Sequence, residues 1–198
     1  MDIKELDQSE AMEMFRDSGA LLEGHFLLTS GRHSNQYMQC AKVLQYPGYA
    51  SRLGEELARR YKDQGVELVI GPAMGGIIVA QEVARALGGK VRSLFAEREG
   101  GQMSLRRGFA IEPGEKVLVV EDVITTGGSV QEVVELVRSL GGEVVGVGVL
   151  VDRSGGEVKF EPRMEAVLQM HIVSYPPDDC PLCSQGLPAI KPGSRNLK

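Results

Sequence analysis

Apolar runs are short in this chain: none approaches the ~20 residues a membrane-crossing helix needs. The segment Met1–Glu10 is too acidic to act as a secretory leader. Cysteine is scarce, at three in 198 residues. With no even-numbered framework, that excludes a disulfide scaffold and points to a reducing cytoplasm. Positive charge is in deficit as well: 22 Lys+Arg against 27 Asp+Glu leaves a net charge of −5. From Met1 to Gly24 there are seven acids against only Lys4 and Arg16, so no DNA-reading module is encoded there. Internal repeats, low-complexity tracts and domain-scale linkers are all missing. These absences leave one soluble domain, spanning 1–198, without a nucleic-acid or membrane partner.

What is abundant is glycine, 25 of 198 residues and well above the usual ~7%. Many of these glycines stand in pairs where periodic segments end. Asp7-Gln-Ser-Glu10 reads as a capping box opening a helix that carries Ala11, Met12 and Phe15 and stops at Gly19. Pro47-Gly48 opens a second helix with Ala50, Leu53, Leu57, Ala58 and Tyr61 at helical spacing, ended by Gly65. Leu68–Ile70, Val91–Phe95, Val117–Val120, Val144–Val151 and Ala166–Ile172 read as strands. Between them lie a helix with Ile77, Ala80, Val83, Ala84 and Leu87, and another with Val130, Val133, Val134, Val137 and Leu140. The spacing Ser129-x-x-Glu132 predicts a capping box for the latter. Strands alternating with helices imply an α/β fold: a mostly parallel central sheet flanked by helices, Rossmann-like in its βαβ units. Ligands of such sheets sit outside the carboxyl ends of the strands.

Val117 to Ser129 (Val-Leu-Val-Val-Glu-Asp-Val-Ile-Thr-Thr-Gly-Gly-Ser) carries the chemistry. A buried strand runs into Glu121 and Asp122, then into a Thr/Gly/Ser loop and a helix start. Backbone N–H groups, small hydroxyls and a helix dipole make an anion cradle. Two carboxylates beside it ask for a ribose diol or a Mg²⁺-bound polyphosphate, so a phosphorylated sugar is the expected ligand. A second strand–glycine-loop–helix unit, Gly71-Pro-Ala-Met-Gly-Gly76, lacks the Lys-Ser/Thr of a nucleoside-triphosphate loop. Glu97 to Gly108 is long, charged and aperiodic, as in an active-site lid or an exposed hairpin. Asp152-Arg153 ends another strand. Thr29-Ser30-Gly31 is a turn, and Arg32, His33 and Ser34 beside it form either a polar hairpin or a face for an anionic substrate. Gly146-Val-Gly148 lacks the third glycine of a dinucleotide fingerprint. Cys180-Pro-Leu-Cys183 reads as a surface turn with two thiols, because Cys40, His25, His33 and His171 are scattered along the chain.

Val119–Ser129 closely resembles the phosphoribosyl-pyrophosphate motif of the type I phosphoribosyltransferases. Phe26-x-Leu-x-Ser-Gly-x-x-Ser34, Gly71-Pro-Ala73, Leu105-Arg-Arg-Gly-Phe109, Asp152-Arg153 and the tail Pro188–Arg195 extend the resemblance to the orotate phosphoribosyltransferases. It implies a core of about residues 46–174 and a small hood from about 1–45 and 175–198. It implies transfer of ribose 5-phosphate from phosphoribosyl pyrophosphate to orotate, with Mg²⁺, in pyrimidine biosynthesis. Glu121 and Asp122 would hold the ribose hydroxyls, with the metal bound through substrate and water near Asp122. Val123, Ile124, Thr125, Thr126, Gly127, Gly128 and Ser129 would enclose the 5′-phosphate, and Ala73, Met74 and Gly75 the pyrophosphate. Thr125, Arg153, Ser30 and Ser34 would face orotate. Arg98 would act from the lid in the neighbouring subunit of a homodimer. Three positions where relatives carry lysine hold Gln102, Gly75 and Thr29 instead. A purine-specific phosphoribosyltransferase and a non-catalytic phosphoribosyl-pyrophosphate-binding regulator are the alternatives.

Overall fold

The structure is a computed structural model describing residues 4–28 and 30–192. A central sheet has the order β5-β4-β3-β6-β7-β8. Its strands are β3 (Leu68–Pro72), β4 (Arg92–Glu99), β5 (Gln102–Ser104), β6 (Lys116–Ile124), β7 (Glu143–Asp152) and β8 (Met164–Gln169). Every neighbouring pair is parallel except β4 with β5. The sheet is flanked by α3 (Pro47–Tyr61), α4 (Gly75–Leu87) and α5 (Gly128–Ser139). The other α-helices among the described residues are α1 (Gln8–Asp17), α2 (Ala41–Leu44) and α6 (Pro181–Ser184).

Side-chain alternation along β6 divides the core into two layers. Leu118 and Val120 pack with Leu53, Leu57 and Tyr61 of α3 and Val79 and Val83 of α4. Val117 and Val119 pack on the other face with Val130, Val133 and Val137 of α5. Gly146 on β7 has a packing role in place of a nucleotide-binding one. A Cβ there would lie 2.3 Å from the Tyr61 ring, whose hydroxyl donates to the Val147 carbonyl at 2.7 Å.

A smaller antiparallel sheet, β1-β2-β9, is built from β1 (Leu21–Leu27), β2 (His33–Met38) and β9 (Ser174–Tyr175). Sequence-remote segments thus meet in one layer. The N-terminal segment is tied to α3 through Glu56, whose fully buried carboxylate accepts from the Leu6 amide at 3.0 Å. The same carboxylate accepts from Arg59 and Arg60, each at 2.8 Å. The Asp7–Glu10 capping box forms as expected.

Candidate active site at the carboxyl ends of the strands

Three loops converge where β3, β6 and β7 end. The first turns from β3 into α4 through Gly71–Gly76. Gly71 lies so close to α4 that a Cβ would come within 2.5 Å of the Gly76 carbonyl and 2.8 Å of the Val120 carbonyl. A Cβ on Gly75 would sit 2.3 Å from the Asp122 carboxylate. The loop from β3 and the acidic pair of β6 therefore form one site. A longer side chain at 75 needs Asp122 to move, which is a steric reason for glycine at this position. Ala73 and Met74 are exposed, Met74 at 80%.

The second loop is the cradle. Glu121 and Val123 through Val130 line one pocket. Gly127, at φ 74°, is the N-cap of α5, and no side chain caps the helix. The expected Ser129–Glu132 capping box is therefore absent: Ser129 already lies inside the helix, and Glu132 instead pairs with Arg98. An uncapped first turn keeps its amides available to an anion. A Cβ on Gly127 would meet Phe160 and Val158 at 2.9 Å, so the left-handed turn is held from outside as well.

Glu121 and Asp122 are half-buried neighbours. Burial, followed by the charge of Asp122, pushes the Glu121 carboxyl well above its usual range. Burial raises Asp122 too, against hydrogen bonds that lower it, among them one from the Val123 amide at 2.9 Å. A pair this uncomfortable as two anions is suited to a cation or to hydroxyl donors.

Arg153 follows β7, its amide bonded to the Ile124 carbonyl at 3.0 Å. Its guanidinium lies 5.9 Å from the Tyr37 ring centroid. Its Nε is buried without a hydrogen-bond partner among the described residues. Burial lowers the guanidinium's pKa from its ordinary value. An unpaired buried N–H beside an open cleft fits a ligand carboxylate. Nothing in the sequence separates Tyr37 from an ordinary strand aromatic. Cys40, beside Asp122, is buried, and its thiol is pushed well up by burial and then by Asp122; it is a packing thiol.

The hairpin side of the site departs from expectation. Arg32 and His33 take separate partners. Arg32 donates to the Ser174 hydroxyl at 2.8 Å and to its carbonyl at 2.6 Å, fastening β9. His33 is buried against His25. The Ser34 hydroxyl donates to the Val173 carbonyl at 2.8 Å and accepts from the Gln36 amide at 3.2 Å. Ser30 is exposed, and Thr29 lies outside the described residues. The segment Glu97–Gly108 is a hairpin of β4 and β5. Arg98 pairs with Glu132 at 2.8 Å, Arg107 with Glu97 at 2.8 Å and Arg106 with Glu99 at 3.7 Å. Most unlike the sequence reading, the ligand-type residues are not all scattered: the fold brings His25, His33, Cys180 and Cys183 together.

A mostly parallel sheet with a glycine-rich turn into an uncapped helix, an acidic pair and a second glycine loop at its carboxyl edge is the arrangement of the phosphoribosyl-transfer class. The phosphoribosyl transferase domain family matches residues 43–167. The chain is 64% identical over 192 residues to an orotate phosphoribosyltransferase of Desulforamulus reducens, covering 97% of this chain and all of that one. It is equally similar, 64% over 192 residues with the same coverage, to an orotate phosphoribosyltransferase of Pelotomaculum thermopropionicum. A crystal structure of Mycobacterium tuberculosis orotate phosphoribosyltransferase in complex with 5-phospho-α-D-ribosyl 1-diphosphate superposes with a TM-score of 0.67 at 27% identity. That likeness covers 83% of this chain and 96% of the other. The chain belongs to the phosphoribosyltransferase family, in its orotate phosphoribosyltransferase branch.

Proposed function

We propose that the protein transfers ribose 5-phosphate from phosphoribosyl pyrophosphate to orotate, giving orotidine 5′-monophosphate and pyrophosphate. The observation that carries the reading is the unpaired, buried Arg153 Nε beside the cradle, because a fold alone does not select a base. Orotate bears a carboxylate that purine bases lack. A guanidinium already desolvated gains more from that anion than one in water. Tyr37 keeps the guanidinium in place through its ring face.

The uncapped start of α5, with Thr125, Thr126 and Ser129, holds the 5′-phosphate. Glu121 and Asp122 hold the ribose hydroxyls and stabilise positive charge growing on the ring. Their discomfort as an anionic pair fits a nearby cation: Glu121 and Asp122 would face a substrate-bound Mg²⁺ ion, which would supply charge neutralisation for the leaving pyrophosphate. Ala73, Met74 and Gly75 present backbone to the pyrophosphate. With nucleophile, ribose and leaving group so positioned, the protein's work is orientation and exclusion of water.

Arg98 acts from the hairpin on the partner site of a homodimer. The hairpin arginines are held by solvent-screened ion pairs, which contribute little. Releasing them to close over a substrate costs little. The small sheet β1-β2-β9 and α6 form a hood beside the core, and three free cysteines suit a reducing cytoplasm.

A base panel tests the reading. With phosphoribosyl pyrophosphate and Mg²⁺, orotate should be consumed, followed by ultraviolet absorbance, while adenine, hypoxanthine and xanthine are not. Consumption of a purine at a comparable rate contradicts it. Binding of phosphoribosyl pyrophosphate with no base consumed favours the regulator.

A further inference from the structure

We propose that His25, His33, Cys180 and Cys183 bind a structural Zn²⁺ ion that clasps the C-terminal tail onto the β1–β2 hairpin. Their potential ligand atoms all lie within 4.8 Å of one another. His25 Nε2 is 2.8 Å from His33 Nδ1, and Cys183 Sγ is 3.3 Å from His33 Nδ1. Cys180 Sγ and Cys183 Sγ lie 3.6 and 3.8 Å from His25 Nε2. With Zn–S at about 2.3 Å and Zn–N at about 2.0–2.1 Å, a tetrahedron has edges of roughly 3.3–3.8 Å. The three sulfur–nitrogen spacings fit within a few tenths of an ångström, the two nitrogens stand closer and must part slightly, and the remaining pairs lie within 4.8 Å and close in around the ion.

Each ligand is delivered by local structure. The antiparallel register pairs Leu27 with His33 and Phe26 with Ser34, and His25 sits in the irregularity between Glu23 and Phe26, where its ring meets that of His33. The Cys-x-x-Cys segment folds as a tight turn, with the Ser184 amide on the Cys180 carbonyl and the Gly186 amide on that of Cys183. His25 Nδ1 lies 2.7 Å from the Leu187 carbonyl. A carbonyl only accepts, so Nδ1 carries the proton and Nε2 presents its lone pair to the cluster. That is the outer hydrogen bond that orients metal-bound histidines. His25, His33 and Cys180 are buried.

Two thiolates and two imidazoles at tetrahedral spacing select Zn²⁺ over hard cations such as Mg²⁺. Four protein ligands leave no open position, so the ion is structural. The clasp continues into the backbone: the Ile190 amide donates to the His25 carbonyl, and the Leu27 amide to the Ile190 carbonyl, both at 2.8 Å. The clasped hairpin carries Tyr37, which faces Arg153. Zinc therefore braces one wall of the base pocket without touching substrate.

The test is metal content, which does not depend on the transferase reading. Full-length protein without a histidine tag, expressed with zinc and dialysed against metal-free buffer, should retain about one zinc per chain. Cys180→Ser and Cys183→Ser should each lose most of it and lower the melting temperature. Co²⁺ exchanged into the wild type should give intense tetrahedral ligand-field bands and sulfur-to-metal charge transfer. Should the variants fail to fold, the wild-type zinc content and cobalt spectrum decide alone. A wild-type protein with zinc at about a tenth of stoichiometry or less, and an octahedral cobalt spectrum, overturns the site. So does a Cys180–Cys183 disulfide found by mass spectrometry in freshly isolated protein.

Discussion

Glu121 carries a conflict between folding and function. Its folded-state pKa is raised, so its protonated form costs folding little. As pH rises from the ordinary carboxylate range through the raised value, the cleft acquires a second negative charge and stability is lost. Glu121→Gln should remove that loss. The ligand-free variant should be more stable than wild type at pH 8, on the order of 1 kcal/mol, with little difference in acid. Its affinity for phosphoribosyl pyrophosphate should fall. Thermal unfolding across pH, with and without substrate and Mg²⁺, reads both effects; equal stability curves for the two proteins contradict the account. At Arg153 the account expects selectivity. Arg153→Gln should raise KM for orotate by about 10–100-fold, in line with roughly 1.5–3 kcal/mol for a charge-assisted hydrogen bond, and leave KM for phosphoribosyl pyrophosphate nearly unchanged. Equal losses for both substrates place Arg153 in general folding.

The strand–loop–helix elements were legible in the residues, because burial on both faces of β3, β6 and β7 leaves continuous apolar runs that glycines punctuate. The cradle was legible for the same reason: Val119 to Ser129 is local in sequence and in space. What was not legible depends on contacts between distant segments. Glu132 looked like a capping partner for Ser129, yet Arg98, 34 residues away, takes it. Ser34 reads as an orotate contact or part of a polar hairpin, and its bond to Val173, 139 residues away, has no local signal. His25 and Cys180 are 155 residues apart and meet only after β1, β2 and the tail have folded together.

At the hairpin β4–β5 the expectation concerns charge. Gln102 is exposed at the start of β5, opposite Glu99. Gln102→Lys should raise kcat by adding a cation to the hairpin, with melting temperature almost unchanged; an unchanged or lower kcat at saturating substrates contradicts this. Arg98 acting in trans makes a mixing prediction. Arg98→Ala and Asp122→Asn, each nearly inactive alone, should regain roughly a quarter of wild-type activity when allowed to exchange subunits, since half the dimers then carry one intact site. No recovery despite verified exchange excludes action across subunits.

At the scale of the whole molecule, the N-terminal segment is pinned to α3 through Glu56 and the C-terminal tail to the β1–β2 hairpin. For Glu56, burial raises the carboxyl's pKa, but hydrogen bonds from Arg59, Arg60 and the Leu6 amide outweigh it and the net shift is downward. A lowered folded-state value gives stability that is present above the ordinary carboxylate range and lost as pH falls through the folded value. Glu56→Gln should lower stability at neutral pH by roughly 1–3 kcal/mol and flatten the acid side of the stability curve. Urea unfolding at several pH values checks the sign.

All of these features converge on one claim, that the cleft joins ribose 5-phosphate to orotate. The most direct measurement incubates orotate, phosphoribosyl pyrophosphate and Mg²⁺ with the protein and quantifies both products over time. The account predicts orotidine 5′-monophosphate and pyrophosphate appearing together in equal amounts, with no free ribose 5-phosphate. Pyrophosphate released with ribose 5-phosphate, and no nucleotide, would contradict it.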